Sequence, residues 1–99
     1  MRVVWTQAAQ ADLIEISAYI KAGNPTRAVS FINEIIDAGE AISGMPRAFP
    51  LIPRLEHRGI RRRSLERYLI FYRIEAETIQ ILHVAHGALD YIRALFPDA

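Results

Sequence analysis

The sequence predicts an α+β fold of order β-α-α-β-β-β-α: an N-terminal strand, a helical hairpin, a three-stranded antiparallel meander and a short C-terminal helix. Three observations carry this. Residues 7–43 space their apolar side chains at three- and four-residue intervals, the period of a helix packed on one side. Residues 60–86 instead form three runs rich in Ile, Tyr, Phe and Arg, divided by short polar turns. Between them, Pro46, Pro50 and Pro53 crowd one segment, which argues against a helix or regular strand there. No linker, internal repeat or low-complexity stretch interrupts the 99 residues, so residues 1–99 are expected to form one domain.

Each element has a local reason. Val3-Val4-Trp5 reads as a short strand, and Thr6 fits a helix N-cap because its hydroxyl can accept from an unpaired first-turn amide. Ala9, Leu13, Ile16 and Ile20 then follow helical spacing from Gln7 to about Ala22, with Gly23 at the exit. Asn24-Pro25 restarts a helix, the Asn as cap and the Pro at a position whose amide needs no intrahelical partner. This second helix is expected to run to about Ser43, with Ala28, Phe31, Ile32, Ile35, Ile36 and Ile42 as its apolar stripe. Met45 to His57 is expected to be a loop crossing the core. Ile60–Glu66, Tyr68–Ile74 and Thr78–His86 are the strands of the meander, turning at Glu66-Arg67 and at Glu75-Ala76-Glu77. Tyr68-Leu69-Ile70-Phe71-Tyr72 is apolar on both alternating faces, as befits a central strand covered on both sides. Gly87 to Phe96 reads as a helix with Leu89, Ile92 and Phe96 on one side, stopped by Pro97.

Composition excludes several classes. There is no cysteine, hence no disulfide and no thiolate ligand. No apolar run approaches the ~20 residues of a membrane span, and the N-terminus turns polar too soon for a secretory signal, so a soluble cytoplasmic protein is expected. His83 and His86 are three apart on a strand and point to opposite faces, which disfavours a shared metal ion; neither metal nor cofactor is expected. Ser17, Ser30, Ser43 and Ser64 sit in no nucleophile elbow, and the five glycines are too scattered for a phosphate loop.

The charge distribution says more than the net charge of +1. Seven arginines lie between Arg54 and Arg73, offset only by Glu56 and Glu66. Such a local positive field suits an anionic partner, a nucleic acid or an acidic protein segment, and the guanidinium favours bidentate or stacking contacts. RNA cleavage would need a base, an acid and cations for the phosphorane charge; Arg61, Arg63, Arg73 and His86 are the candidate catalytic set, with Arg62, Arg67, Tyr72 and His83 close by. The bland reading has Arg61 and Arg63 leaving one face of the sheet and Arg62 the other, solvated or paired with acids. Likewise a lone His such as His86 at the end of a buried strand is more often a hydrogen-bonded structural residue than a catalyst, Tyr68 and Tyr72 suit core or groove lining, and Trp5 suits the core.

The order of these motifs resembles the RelE/ParE toxin superfamily, and its ParE-like branch in particular. Val3-Val4-Trp5-Thr6-Gln7-Ala8-Ala9-Gln10-Ala11-Asp12-Leu13 is similar to the family's strand-plus-helix opening. Gly59-Ile60-Arg61-Arg62 with Tyr68-Leu69-Ile70-Phe71-Tyr72-Arg73-Ile74 looks like its central strands, and Ile79 to Asp90, with His86-x-x-x-Asp90, like its last strand and the element after it. The resemblance spans nearly the whole chain. It implies the toxin of a type II toxin–antitoxin pair, either a ParE-like inhibitor of DNA gyrase, itself no enzyme, or a RelE-like ribosome-dependent mRNA endonuclease, or a degraded module that only binds antitoxin. The Arg and Tyr positions of the nuclease set fall near Gly87 and Arg93, with Tyr91 out of step, and this points to gyrase. Many members carry Arg where this chain has Leu89, which implies weakened toxicity if that Arg matters. A ParD-like antitoxin is the implied partner, laying an amphipathic helix on apolar surface and acids on the arginines. Contact with operon DNA is expected only through that antitoxin. The partner-binding residues implied are Arg61, Arg62, Arg63, Arg67, Tyr72, Arg73, His86, Asp90 and Arg93.

Overall fold

The structure is a computed structural model and describes residues 1–98. Strand β1 (Arg2–Trp5) leads into helices α1 (Gln7–Lys21) and α2 (Pro25–Glu40), which a 3-10 turn extends over Ala41–Gly44. A second 3-10 turn at Glu56–Arg58 precedes β2 (Arg61–Leu65), β3 (Tyr68–Glu75), β4 (Thr78–His86) and a short α3 (Tyr91–Leu95). The strands form one mixed sheet of order β1-β4-β3-β2, in which β1 runs parallel to β4 and the other pairs are antiparallel.

The caps act as their chemistry requires. The Thr6 hydroxyl accepts from the Ala9 amide at 3.2 Å and donates to the Ile81 carbonyl at 2.8 Å, so one side chain starts α1 and ties it to β4. Asn24 accepts from the Arg27 amide at 3.0 Å with Pro25 in the first turn. The helix expected to reach Ser43 keeps α geometry only to Glu40, because its last turn tightens to 3-10. The loop expected over Met45–His57 contains the Glu56–Arg58 turn: the prolines restrict only their own neighbourhood, and Gly59, at φ 68°, supplies the left-handed exit. The expected Gly87–Phe96 helix is only Tyr91–Leu95, since residues 86–91 are held by turns from the Leu89 amide to the His86 carbonyl and from the Tyr91 amide to the Leu89 carbonyl. Leu89 is consequently exposed rather than packed with Ile92 and Phe96.

Two apolar layers sandwich the sheet. On the helical side Ile70, Tyr72, Ile79, Ile81 and Val84 meet Ala9, Ile16, Phe31, Ile35 and Ile42. On the other side Leu69, Phe71 and Ala85 meet Ile52, Leu55, Ile60 and Phe96. Strand β3 feeds both layers, which is why its residues 68–72 are apolar throughout. Each fully buried Ile or Phe contributes about 1.5–3 kcal/mol. A bulge shifts the β3–β4 register: Phe71 faces His83 while Tyr72 faces Ile81, leaving Leu82 as the extra residue.

Candidate functional site

The arginines divide between the two faces of the sheet. Arg61 and Arg63 leave β2 toward the helices, and backbone carbonyls take up their guanidinium groups. Arg61 donates to Phe49 at 2.7 Å and Arg47 at 3.3 Å; Arg63 donates to Ala38 at 2.7 Å and lies 5.0 Å from the Phe49 ring centroid. The Ala38 carbonyl belongs to the last turn of α2, where a positive charge also meets the negative end of the helix dipole. Tyr72, opposite Arg61 in the β2–β3 register, donates its hydroxyl to the Pro46 carbonyl at 2.7 Å. Burial raises the Tyr72 phenol above its ordinary value, while the charges of Arg61 and Arg63 pull the other way. These three side chains clamp the proline-rich loop and the end of α2 onto the sheet. Tyr72 is wholly buried, so its place is in the core rather than on a partner-facing surface.

Arg62 and Arg73 leave the opposite face. Arg62 donates to the Tyr91 hydroxyl at 3.0 Å, and the Tyr91 ring stacks at a tilt 4.9 Å from Phe71. Arg73 donates to Gln80 at 3.2 Å and pairs with Glu75 at 3.5 Å. Arg67 is exposed in the β2–β3 turn, where its carbonyl accepts from the Gly87 amide at 2.8 Å. Arg93 is exposed on α3, and Asp90 starts that helix through its carbonyl, which accepts from Ala94 at 3.0 Å, with no side-chain cap bond. His86 sits at the end of β4 on the helical face, its ring edge-on to Tyr68 at 5.3 Å and its Nδ1 accepting from the Ala88 amide at 3.1 Å. The candidate catalytic set is therefore not brought together: Arg61 and Arg63 are on the helical face, Arg73 on the other, and His86 two strands away, level with Leu65 at the end of β2.

One constellation leaves no signature in the sequence. Asp12 on α1 accepts from the Val84 amide at 2.9 Å and holds His83 Nδ1 at 2.8 Å, with both side chains about one-fifth exposed. His83 and Asp12 lie 71 residues apart, so no spacing signals the pair. Beside them, a cleft of about 410 Å³ runs along the end of β4, lined by Glu15, Ile16, Tyr19, Tyr68, Leu89 and Leu95 among others. Burial raises the Tyr68 phenol, and the neighbouring Tyr19 adds to the rise. A second apolar strip lies on the outer surface of the hairpin, where Leu13, Ile14, Ala18 and Ile32 border a shallow groove and Ile14 is 72% exposed.

The site thus sits on a four-stranded mixed sheet backed by a helical hairpin, with arginines on both faces. The family model described as "ParE toxin of type II toxin-antitoxin system, parDE" matches residues 3–91. The chain belongs to the ParE toxin family, within the ParE/RelE superfamily of type II toxins. Among solved structures it is similar to a chain of the chromosomal ParDE system from P. aeruginosa, with TM-score 0.74 and 22% identity over 87% of this chain and 95% of that one. It is also similar to a chain of the RelBE2 toxin–antitoxin complex from Mycobacterium tuberculosis, with TM-score 0.63 and 26% identity over 86% of this chain and 95% of that one. No curated protein is a significant match. Among the described residues, no helix is long and apolar enough to cross a membrane.

Proposed function

We propose that this toxin acts as a protein ligand of DNA gyrase, performing no chemistry of its own, and that a ParD-like antitoxin neutralises it in the cytoplasm. The observation that carries the reading is the dispersal of the candidate nuclease residues: backbone carbonyls satisfy Arg61 and Arg63, and Arg73 lies on the opposite face. General acid–base cleavage needs its groups within hydrogen-bond reach of one phosphate, and this arrangement disperses them. Membership of the ParE family and likeness to a ParDE structure support the same reading. Two surfaces suit the antitoxin: the apolar strip around Ile14 and Ile32 for an amphipathic helix, and the exposed guanidinium groups of Arg67 and Arg93 for its acids. Purified toxin added to gyrase, ATP and relaxed plasmid is expected to stabilise cleaved DNA in proportion to toxin until gyrase is saturated. Unchanged supercoiling at a large molar excess of toxin would sink the proposal.

One observation favours a second reading, a ribosome-dependent mRNA endonuclease. The Tyr91 hydroxyl is held by Arg62 on the face that also carries Arg73, which places a phenol beside one guanidinium group. That reading predicts cuts in translated mRNA that disappear in Arg73→Ala and His86→Ala, and in Tyr91→Phe if the phenol takes part. Persistence of the cuts in any of these variants removes that residue from the chemistry.

A further inference from the structure

We infer that the edge of β4 at Val84–His86 accepts one residue of an extended partner segment in parallel register, and that this segment carries a basic side chain opposite Glu15. Strand β1 covers this edge only as far as Ile81. Beyond it, Thr6 occupies the Ile81 and Leu82 carbonyls, at 2.8 and 3.2 Å, and Asp12 occupies the Val84 amide at 2.9 Å. Because antiparallel ladders alternate, an outward Val84 amide means that the Val84 carbonyl and the His86 amide also point away from β3. The bond from the Gly87 amide to the Arg67 carbonyl on the β3 side keeps the same alternation. The His86 carbonyl is taken by the Leu89 amide at 3.1 Å. Two backbone groups thus remain without a partner among the described residues, the Val84 carbonyl and the His86 amide, and they bracket Ala85.

That pair selects a direction. In a parallel ladder one residue donates to the carbonyl before its opposite number and accepts from the amide after it. An antiparallel partner would instead need the amide and carbonyl of one residue, and Asp12 already holds the Val84 amide. The incoming segment therefore continues the parallel direction of β1. The cleft straddles this edge, with Ile16, Tyr19 and Tyr68 on the helical side and Leu95 on the other, and with the exposed Leu89 also on its lining, so alternate side chains of a strand find apolar walls on both faces. Its charge is acidic. Asp12 is engaged by His83, whereas Glu15 is exposed and has no salt bridge among the described residues. A lysine or arginine flanked by apolar residues is the complement, a chemistry distinct from the acidic segment that suits the arginines.

The test titrates the full chain, labelled with 15N, with the capped hexapeptide TVLVRT, using TVLVET as the control. Saturable shifts and slowed exchange at the His86 amide are expected, with the basic peptide favoured up to ~5-fold, the scale of an exposed ion pair. Glu15→Lys is expected to reverse that preference without unfolding the chain. A nitroxide on the peptide N-terminus is expected to broaden signals near Leu82 rather than Gly87. Absence of a saturable His86 shift, a preference unmoved by Glu15→Lys, or broadening centred on Gly87 would each overturn the inference. The readout involves neither gyrase nor antitoxin, so it stands or falls separately from the proposed target.

Discussion

The indole of Trp5 lies directly on the α-carbon of Gly39: a Cβ built at Gly39 would stand 2.5 Å from Trp5 Cζ2 and 2.6 Å from Cη2. Strand β1 and helix α2 approach this closely because the glycine has no side chain, and the Trp5 Nε1 donates to Glu40 at 3.2 Å one residue further on. In an isolated helix Gly39→Ala would stabilise by about 1 kcal/mol. Here the overlap with a ring held between strand and helix outweighs that gain, and a net loss of ~1–3 kcal/mol is expected in urea unfolding. In a Trp5→Leu background the same substitution is expected to be near neutral, so a double-mutant cycle isolates the contact.

Arg63 and Arg62 are sequence neighbours with different tasks. Arg63→Ala removes a charged donor from the Ala38 carbonyl, a positive charge from the end of α2 and the contact with Phe49, and is expected to cost about 2 kcal/mol. Arg63→Lys should recover only part of this, because an ammonium lacks the planar fork that serves the carbonyl and the ring together. Arg62→Ala loses a bond to the Tyr91 hydroxyl, and a smaller cost of about 1 kcal/mol is expected. Equal losses for the two alanine variants would contradict this division of roles.

Much of this architecture was legible because the relevant signals are local. The two-faced run from Tyr68 to Tyr72 identified the central strand, and simple alternation separated Arg61 and Arg63 from Arg62. What no local pattern carries is pairing across the chain. The sequence marked β1 as a strand but not as the parallel neighbour of β4, and nothing near Asp12 announces a bond to His83. The sequence left Tyr72 between core and groove lining because a tyrosine on a strand suits surface and core alike; the Pro46 carbonyl that receives its hydroxyl lies 26 residues away. The C-terminal helix is shorter than the sequence suggests because Gly87-Ala88-Leu89 has no periodicity to distinguish a turn from a first helical turn.

Stability at alkaline pH follows from Tyr72. Its folded-state value is raised by burial above that of an unfolded tyrosine, so the folded chain keeps its phenolic proton at pH values where the unfolded chain loses it. The stabilisation is complete below about pH 10 and declines as pH rises further, through the raised folded value. Tyr68, raised in the same direction, adds to the decline. Tyr72→Phe is expected to cost about 1 kcal/mol at neutral pH through loss of the bond to Pro46, and to flatten the fall of the unfolding midpoint above pH 10. An unchanged alkaline slope in the variant would assign the effect elsewhere.

Asp12 closes an edge that would otherwise be open. Where β1 ends, its carboxylate takes the Val84 amide and the His83 ring together, substituting for the strand that is no longer there. Removing it leaves a backbone donor and an imidazole unpaired, so Asp12→Ala is expected to destabilise by about 1–3 kcal/mol. Asp12→Asn retains an acceptor of the same shape and is expected to lose less. The local signature separates this role from general destabilisation. Amide hydrogen exchange at Val84 should accelerate in Asp12→Ala beyond the change seen at Ile70 in the middle of β3, because the protection lost is that of one edge donor rather than of the whole sheet. A uniform acceleration across β3 and β4 would mean that Asp12 acts on global stability alone.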